Sequence, residues 1–411
     1  MKLLHVTPSF YPAHNYGGPI IAFYHLCQSL AELGCDVRVL TTDAHGTDTV
    51  IDVEKEREVE IAERLHVRYC KRRMRHSVSP TLVRLLPHYI QWADVVHLTA
   101  VYNFPTIPTL IACRIFRKPV VWSPHGVLQR WAGSRRTKAK AVWEWVCRVV
   151  APNTLMLHTT SEQEAQESRE RFPNVEVAVI PYCIQIPEQA THVDGSGVLR
   201  LLYLGRLDPK KGIENLLAAC KLLKERATLS WSLTIAGVGE ARYTESLQAK
   251  IRELGFAGHG DVHPHAPLSH QSATGREKAC SGTVQMVGQV LGEAKEHLFE
   301  NADIMVVPSY TENFGVVVAE ALVRGVPVIA STGTPWRRLE EMGCGFWVHN
   351  DPESVAKAIE RMSRLSLREL GRRGREWAKQ EFRCDMKAQD MIECYERTCE
   401  RAELRRVSHA V

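Results

Sequence analysis

Short apolar runs alternate along the chain with segments whose apolar positions recur every third or fourth residue. "KLLHVT" is followed by a helical stretch from Ile20 to Leu33, stopped by Gly34, and then by "DVRVLT". "ADVVHL", a helix near 107–116, "KPVVWSP", an amphipathic helix near 137–150, "TLMLHTT", a helix from Glu162 and "VEVAVIP" continue the pattern. Such alternation predicts parallel strands joined by crossover helices.

The pattern pauses at "YCIQIPEQATHVDGSGV" (182–198), which is rich in Pro, Gly and polar residues and reads as a linker. It restarts with "LRLLYLG", a helix from Gly212 to Arg226, "WSLTIAG", a helix near 242–254, "VQMVG", a helix near 292–300 and "DIMVVPS". "SYTENFGVVVAEAL" and "VPVIAS" follow, and the tail from Asp351 is helical in three segments ending near Arg406. The expected fold class is therefore α/β with two tandem parallel-sheet domains: 1–182, a linker at 183–198, and 199–380. A closing helix at 381–411 is expected to return to the first domain. In such sheets ligands collect beyond the carboxyl ends of the strands, so the residues just after each strand are the candidates for chemistry.

One segment, 257–282, interrupts what should be a short connection between a helix and a strand. Its histidines at 259, 263, 265 and 270 have no helical ligand spacing, so a surface insertion is expected rather than a metal site.

Length supports the same division, because 411 residues exceed what one hydrophobic core usually serves. The net charge of +5 decides little, but its placement matters. "RYCKRRMR" (68–75) holds five basic residues and no acid, and Arg114 to Arg148 holds nine against Glu144 alone. The first half is expected to carry a basic face suited to anionic lipid or a phosphorylated substrate. The 12 cysteines include no C-x-x-C pair, and most sit in apolar runs, so buried reduced thiols are expected. No apolar run approaches the roughly 20 residues of a spanning helix, and the N-terminus is too short for a signal peptide. A cytoplasmic protein is expected, at most peripheral on a membrane.

Several chemistries lack their motif. There is no Walker loop and no G-x-S-x-G, and "AGVGEAR" offers only a lone G-x-G. No D-x-D occurs, so no cofactor and no metal are expected, and an anionic leaving group would need protein cations and backbone N–H donors. Three strand ends offer them. Gly17 and Gly18 precede a helix start, where bare backbone approaches an anion. Arg206 and Lys211 follow the first strand of the second domain, one a planar fork and the other a point charge. "TENFG" brings free N–H groups before the helix at Val316. His125, in "SPHG", stands in a short turn just past another strand.

Together "YLGRLDPKKGIENLL", "LTIAGVGE", "ENFGVVVAEALVRGVPVIAS" and "SPHG" resemble the retaining glycosyltransferases of family 4. The likeness covers nearly the whole chain and is densest over 199–349. It implies the GT-B fold, two Rossmann-like domains facing a cleft. It also implies transfer of a sugar from a nucleotide diphosphate donor, a UDP- or GDP-sugar, with retention. Glu312 and Glu320 match the E-x₇-E motif, whose first acid serves the donor sugar and whose second holds ribose hydroxyls. By the same match Arg206 and Lys211 bind the donor diphosphate, with Gly17 and Gly18 near the phosphates. His125 stands beside the transferred sugar, and Asn313, Phe314 and Gly315 form the turn whose backbone faces it. The expected catalytic set is His125, Glu312, Arg206 and Lys211. The family's usual P-N-G-V is replaced here by "PYCI".

"SPHGVLQRWAGSRRTKAKAVWEWV" and "STGTPWRRLEEMGCGFWV" resemble the branch that builds bacterial lipid-linked surface polysaccharides, exopolysaccharide or O-antigen. A glycan or polyprenyl-diphosphate-linked acceptor is therefore expected. Arg135, Arg136, Lys138, Lys140 and Trp143 would form a face toward an anionic membrane. A nucleotide-sugar epimerase on the same architecture is the alternative. Nucleic acid is not an expected partner.

Overall fold

The Val-, Ile- and Leu-rich runs become strands because β-branched side chains suit a pleated surface covered on both sides. The computed structural model describes residues 1–46, 48–129, 137–189, 197–256 and 282–408. These divide into two units, Met1–Gln185 with Phe382–Val411, and Ile186–Glu381.

In the first unit β1 (Lys2–Val6), β2 (Asp36–Thr42), β3 (Glu58–Ala62), β4 (Leu65–Cys70), β5 (Val95–Thr99), β6 (Val120–Ser123), β7 (Leu155–Thr159) and β8 (Glu176–Val179) make one sheet. Its order is β3-β4-β2-β1-β5-β6-β7-β8, with only β3 antiparallel to its neighbour. Helices α1 (Gly18–Glu32), α2 (Pro80–Trp92), α3 (Thr106–Ile115), α4 (Thr137–Val150) and α5 (Glu162–Arg171) connect them. Strands β5, β6 and β7 are buried at every position, as the apolar runs require. Leu4, Leu86, Val96 and Trp122 lie in the core of this unit.

In the second unit the strands are β9 (Leu199–Leu204), β10 (Trp231–Ala236), β11 (Gly282–Gly288), β12 (Ile304–Val307), β13 (Val328–Ser331) and β14 (Gly345–Val348). They form an all-parallel sheet in the order β11-β10-β9-β12-β13-β14. Its helices are α6 (Ile213–Arg226), α7 (Ala241–Glu253), α8 (Glu293–Glu300), α9 (Val316–Val323), α10 (Arg338–Glu341), α11 (Pro352–Met362) and α12 (Leu367–Glu381). Strand β9 lies between β10 and β12, so the loops leaving β9 and β12 start side by side where the strand order reverses.

The last helix, α13 (Cys384–Ser408), lies on the first unit, with Met391, Cys394 and Tyr395 fully buried. Ile184 N–H donates to Phe382 O at 2.8 Å, so the chain leaves and re-enters this unit at one point.

The antiparallel strand β3, its partner β4 and helix α2 were not separated in the sequence, where this region reads chiefly as charge. That charge is also less available than expected. Arg75 forks onto Asp48 at 3.0 Å, and Arg72 reaches Gly46 O at 2.7 Å and Thr49 O at 2.9 Å. The run 68–75 therefore partly serves its own loops, because acids distant in sequence fold beside it. The expected insertion lies outside the described residues except for Gly282, which begins β11. The described cysteines are free and mostly buried. Among the described residues no helix is long and apolar enough to cross a membrane.

Candidate active site

Where β9 ends, the chain turns through a short 3-10 stretch, Pro209–Lys211, and enters α6 at Gly212. Gly212 has φ +64°, and a Cβ there would stand 2.1 Å from Pro308 O at the end of β12. A glycine is therefore needed for the two loops to meet. Tyr310 N–H donates to Lys210 O at 2.8 Å and joins them.

This join brings Lys211 and Glu312 into a salt bridge, Nζ to Oε1, with both side chains only 13% exposed. Ser309 Oγ donates to the same carboxylate oxygen at 3.0 Å, and Glu312 N–H is held by Gly333 O at 2.9 Å. Burial pushes the Glu312 carboxyl up, but Lys211, Lys210 and the Ser309 hydroxyl outweigh it and hold the group below the usual range. Burial, with Arg206 and Lys211 nearby, lowers the Lys210 ammonium. Arg206 is exposed at the mouth of the loop, and its carbonyl accepts the Tyr203 hydroxyl at 2.8 Å.

Glu320 is the fifth residue of α9, and it is buried at 8% exposure. One carboxylate oxygen takes Lys295 Nζ at 2.6 Å; the other, Oε2, is buried and has no partner. An unpartnered buried acceptor is costly, and Oε2 can take a further hydrogen-bond donor. Sequence reading missed Lys295, which sits on α8 and has no motif of its own. Of the turn before α9, Gly315 has φ +77° and caps the helix. Phe314 is a core residue: its ring lies 5.1 Å from Trp336, and its carbonyl is taken by the Trp336 indole N–H.

In the first unit Gly17, φ +84°, precedes α1 without a side-chain cap, and Gly18 begins the helix. His125 follows β6 at φ +53°. Its Nδ1 meets the Tyr182 hydroxyl at 2.5 Å, its ring stacks on Tyr182 at 5.5 Å, and Phe23 meets it edge-on at 4.8 Å. Burial, reinforced by His158 and His5, holds His125 well below its usual value, so it is neutral at pH 7. The phenol is the better donor and the imidazole nitrogen the better acceptor, so Tyr182 caps Nδ1 and leaves the proton on Nε2. Fully buried Glu164 fixes the same turn, accepting Gly126 N–H at 2.5 Å and Thr160 N–H at 2.8 Å. Neither Tyr182 nor Glu164 carries a signal in the sequence, except that Tyr182 stands where the family pattern departs.

A second polar chain crosses β7, β6 and β5. His158 Nε2 donates to Ile180 O at 2.8 Å, which leaves Nδ1 to accept the Ser123 hydroxyl at 2.6 Å. Ser123 Oγ in turn accepts His97 Nε2–H at 2.6 Å, and His97 Nδ1 accepts the Tyr395 hydroxyl of α13 at 2.6 Å.

The expected membrane face is only partly as read. Arg135 and Arg136 lie outside the described residues. Lys138 is exposed, whereas Lys140 stands 5.1 Å over the Tyr102 ring. Trp143 turns inward: it is partly buried against the core and donates Nε1–H to Val101 O at 2.8 Å. The helical period, not chain adjacency, decides this, and it puts Trp145 outside at 58% exposure.

Residues 16–186 match the family described as Glycosyltransferase Family 4, and residues 199–364 match Glycosyl transferases group 1. The Methanocaldococcus jannaschii protein called uncharacterized glycosyltransferase MJ1607 is 32% identical over 165 residues, which is 39% of this chain and 35% of that protein's length. Glycogen synthase of Mycobacterium tuberculosis is 27% identical over 363 residues, covering 80% of this chain and 78% of its own. Sucrose-phosphate synthase from Thermosynechococcus elongatus superposes with a TM-score of 0.69 at 20% identity, over 96% of this chain and 98% of that one. Anabaena HepE in complex with UDP and glucose gives 0.68 at 18% identity, over 96% and 99%. These structures share the GT-B fold of two Rossmann-like domains. With two family matches in succession spanning most of its length, the chain belongs to the glycosyltransferases, pairing a family 4 domain with a group 1 domain.

Proposed function

We propose that this glycosyltransferase moves a sugar from a UDP- or GDP-linked donor to a glycan acceptor carried on a polyprenyl diphosphate, with retention of anomeric configuration. The setting would be synthesis of a bacterial surface polysaccharide at the inner face of the cell membrane. The observation that carries the reading is the Lys211–Glu312 ion pair, with Arg206 exposed on the same loop as Lys211, at the point where the second sheet reverses its strand order. The solved structure of HepE with UDP and glucose, on the same fold, supports a nucleotide-linked donor.

On this reading Arg206 forks across the diphosphate, and Lys211, held in place by Glu312, adds a fixed point charge. As the bond from the anomeric carbon to the diphosphate oxygen breaks, negative charge grows on the leaving phosphate and these cations stabilise it. The acceptor hydroxyl attacks on the same face and gives its proton to a leaving phosphate oxygen. No metal ion is required in this scheme. Glu320 Oε2 accepts a ribose hydroxyl. Neutral His125 offers Nε2–H to a sugar hydroxyl.

The test is turnover of the donor by Arg206→Ala. The exposed side chain contributes little to folding, so kcat should fall by about 10²–10³, the effect of an electrostatic donor, with the fold intact. Calorimetry against UDP and GDP would name the base, and Glu320→Gln should weaken whichever binds. A folded Arg206→Ala protein of full activity would sink the assignment.

A further inference from the structure

Six arginines lie at the amino-end edge of the first sheet, away from the turn that carries His125. Arg114, Arg117, Arg405 and Arg406 line a pocket of about 420 Å³ with Asn153 and Thr154, the residues that lead into β7. A neighbouring pocket of about 400 Å³ shares Arg405 and adds Arg148 and Arg401. Neither pocket is lined by an Asp or Glu among the described residues. Arg401 is ion-paired with Glu176.

The guanidinium groups are pinned in place. Arg114 donates to Val149 O, Arg405 to Asn153 O at 2.6 Å, and Arg406 to Arg117 O at 2.6 Å. A guanidinium has five N–H donors, so a bond to one carbonyl orients its plane without exhausting it. Holding like charges together against their mutual repulsion makes sense where an anion is to be received.

Large apolar side chains next to these arginines along the chain, or bonded to them through the backbone, are exposed. Ile115 is 68% exposed, Val149 51%, Leu404 70% and Val407 66%. From Val149 the outer stripe of α4 continues back through Trp145 and Val142, at the helical spacing of four and three residues. Val149 is tied to the arginines by the bond from Arg114 to its carbonyl, and Ile115, Leu404 and Val407 adjoin Arg114, Arg405 and Arg406 in the chain; exposed apolar side chains beside charged ones mark interaction surfaces. A small free phosphate would be served by the arginines alone and would have no use for these apolar side chains.

We infer that this edge of the first domain, built from α3, α4 and α13, docks on an anionic phospholipid surface. The arginine pocket takes headgroup phosphate while Trp145 and the exposed aliphatic side chains enter the boundary between headgroups and acyl chains. Interfacial binding scales with buried apolar area plus attraction to anionic lipid, and both terms are present here. The surface suits the lipid-linked acceptor proposed above but does not depend on it.

The experiment is flotation of the full chain, without donor, on phosphatidylcholine vesicles with and without phosphatidylglycerol. The wild type should float with the anionic vesicles at low salt and stay behind with the neutral ones. Arg114→Glu with Arg406→Glu should cut the bound fraction at least about tenfold. The gentler pair Arg114→Gln with Arg406→Gln should keep the wild-type melting temperature and lose a smaller share. Brominated lipid should quench tryptophan fluorescence in the wild type and much less in Trp145→Phe. Equal flotation of the reversal variant, equal binding to neutral vesicles, or no flotation at all overturns the inference. So does binding of inorganic pyrophosphate at these arginines by a chain that ignores vesicles. A chain that floats but transfers no sugar would leave this inference standing and remove the transferase reading.

Discussion

At the strand ends of the second sheet Lys211 and Glu312 meet as ions, and Lys295 and Glu320 meet likewise on α8 and α9. Within the first sheet His158, Ser123, His97 and Tyr395 are joined by hydrogen bonds in one direction, and burial keeps the histidines neutral. Both regions bury polar groups that must be satisfied, but they do so with different currencies of interaction. A buried ion pair fixes charge in place, yet each ion depends on its partner. A neutral chain fixes direction, because each bond determines the tautomer of the next group.

The sharpest way to break this contrast is Lys211→Met. It leaves Glu312 buried without its cation, so the second unit should lose about 3–5 kcal/mol in urea unfolding at pH 7. In the wild type the Glu312 carboxyl is depressed, so its contribution is complete above the ordinary carboxylate value of 4.5 and is lost as pH falls through the lower folded value. In the variant burial is opposed only by Lys210 and the Ser309 hydroxyl, and the carboxyl should rise. Its deficit should therefore be greatest at pH 7 and shrink towards pH 4, where protonation removes the unpaired charge. A deficit independent of pH would count against the pair.

Tyr395→Phe removes the last donor of the neutral chain. His97 Nδ1 is left buried and unmet, at a cost of about 1–3 kcal/mol, which hydrogen exchange should locate in α13 and β5. The pH dependence separates the two units. Burial lowers His158 to about 4 and His5 to about 3 from an ordinary 6.5. The unfolded chain therefore binds protons that the fold refuses, and the stability these groups contribute is intact above 6.5 and lost progressively below it. On acidification the first unit should open to exchange before the second, and the reverse order would contradict this account.

The smallest effect belongs to Tyr182→Phe. Without the phenol, His125 loses the partner that sets its tautomer, worth about 0.5–1.5 kcal/mol, so kcat should fall about three- to tenfold with KM little changed. The acid limb of the pH–rate profile should also move to higher pH, because the donor that favoured the neutral ring is gone. A loss of activity with an unmoved profile would make Tyr182 a packing residue.

The sequence by itself determined the fold class and most of the elements that build it. Its apolar runs specify strands buried on both faces, and the helical periods between them specify crossovers. Both depend on residues within a few positions of one another. It also placed Arg206, Lys211 and Glu312 just beyond strands, where the carboxyl ends of a parallel sheet are, and Glu320 in the helix that follows. It did not separate β3, β4 and α2, because charge there obscures the apolar period. Nor could it show which side chains meet. Glu312 and its cation are 101 positions apart, Glu320 and Lys295 25, His125 and Tyr182 57, and His97 and Tyr395 298. Trp143 and Trp145 stand two positions apart, yet one faces the core and the other faces out. Side-chain partnership is set by sheet order and helix phase, which exist only once the chain has folded; local spacing sets the elements but not their neighbours.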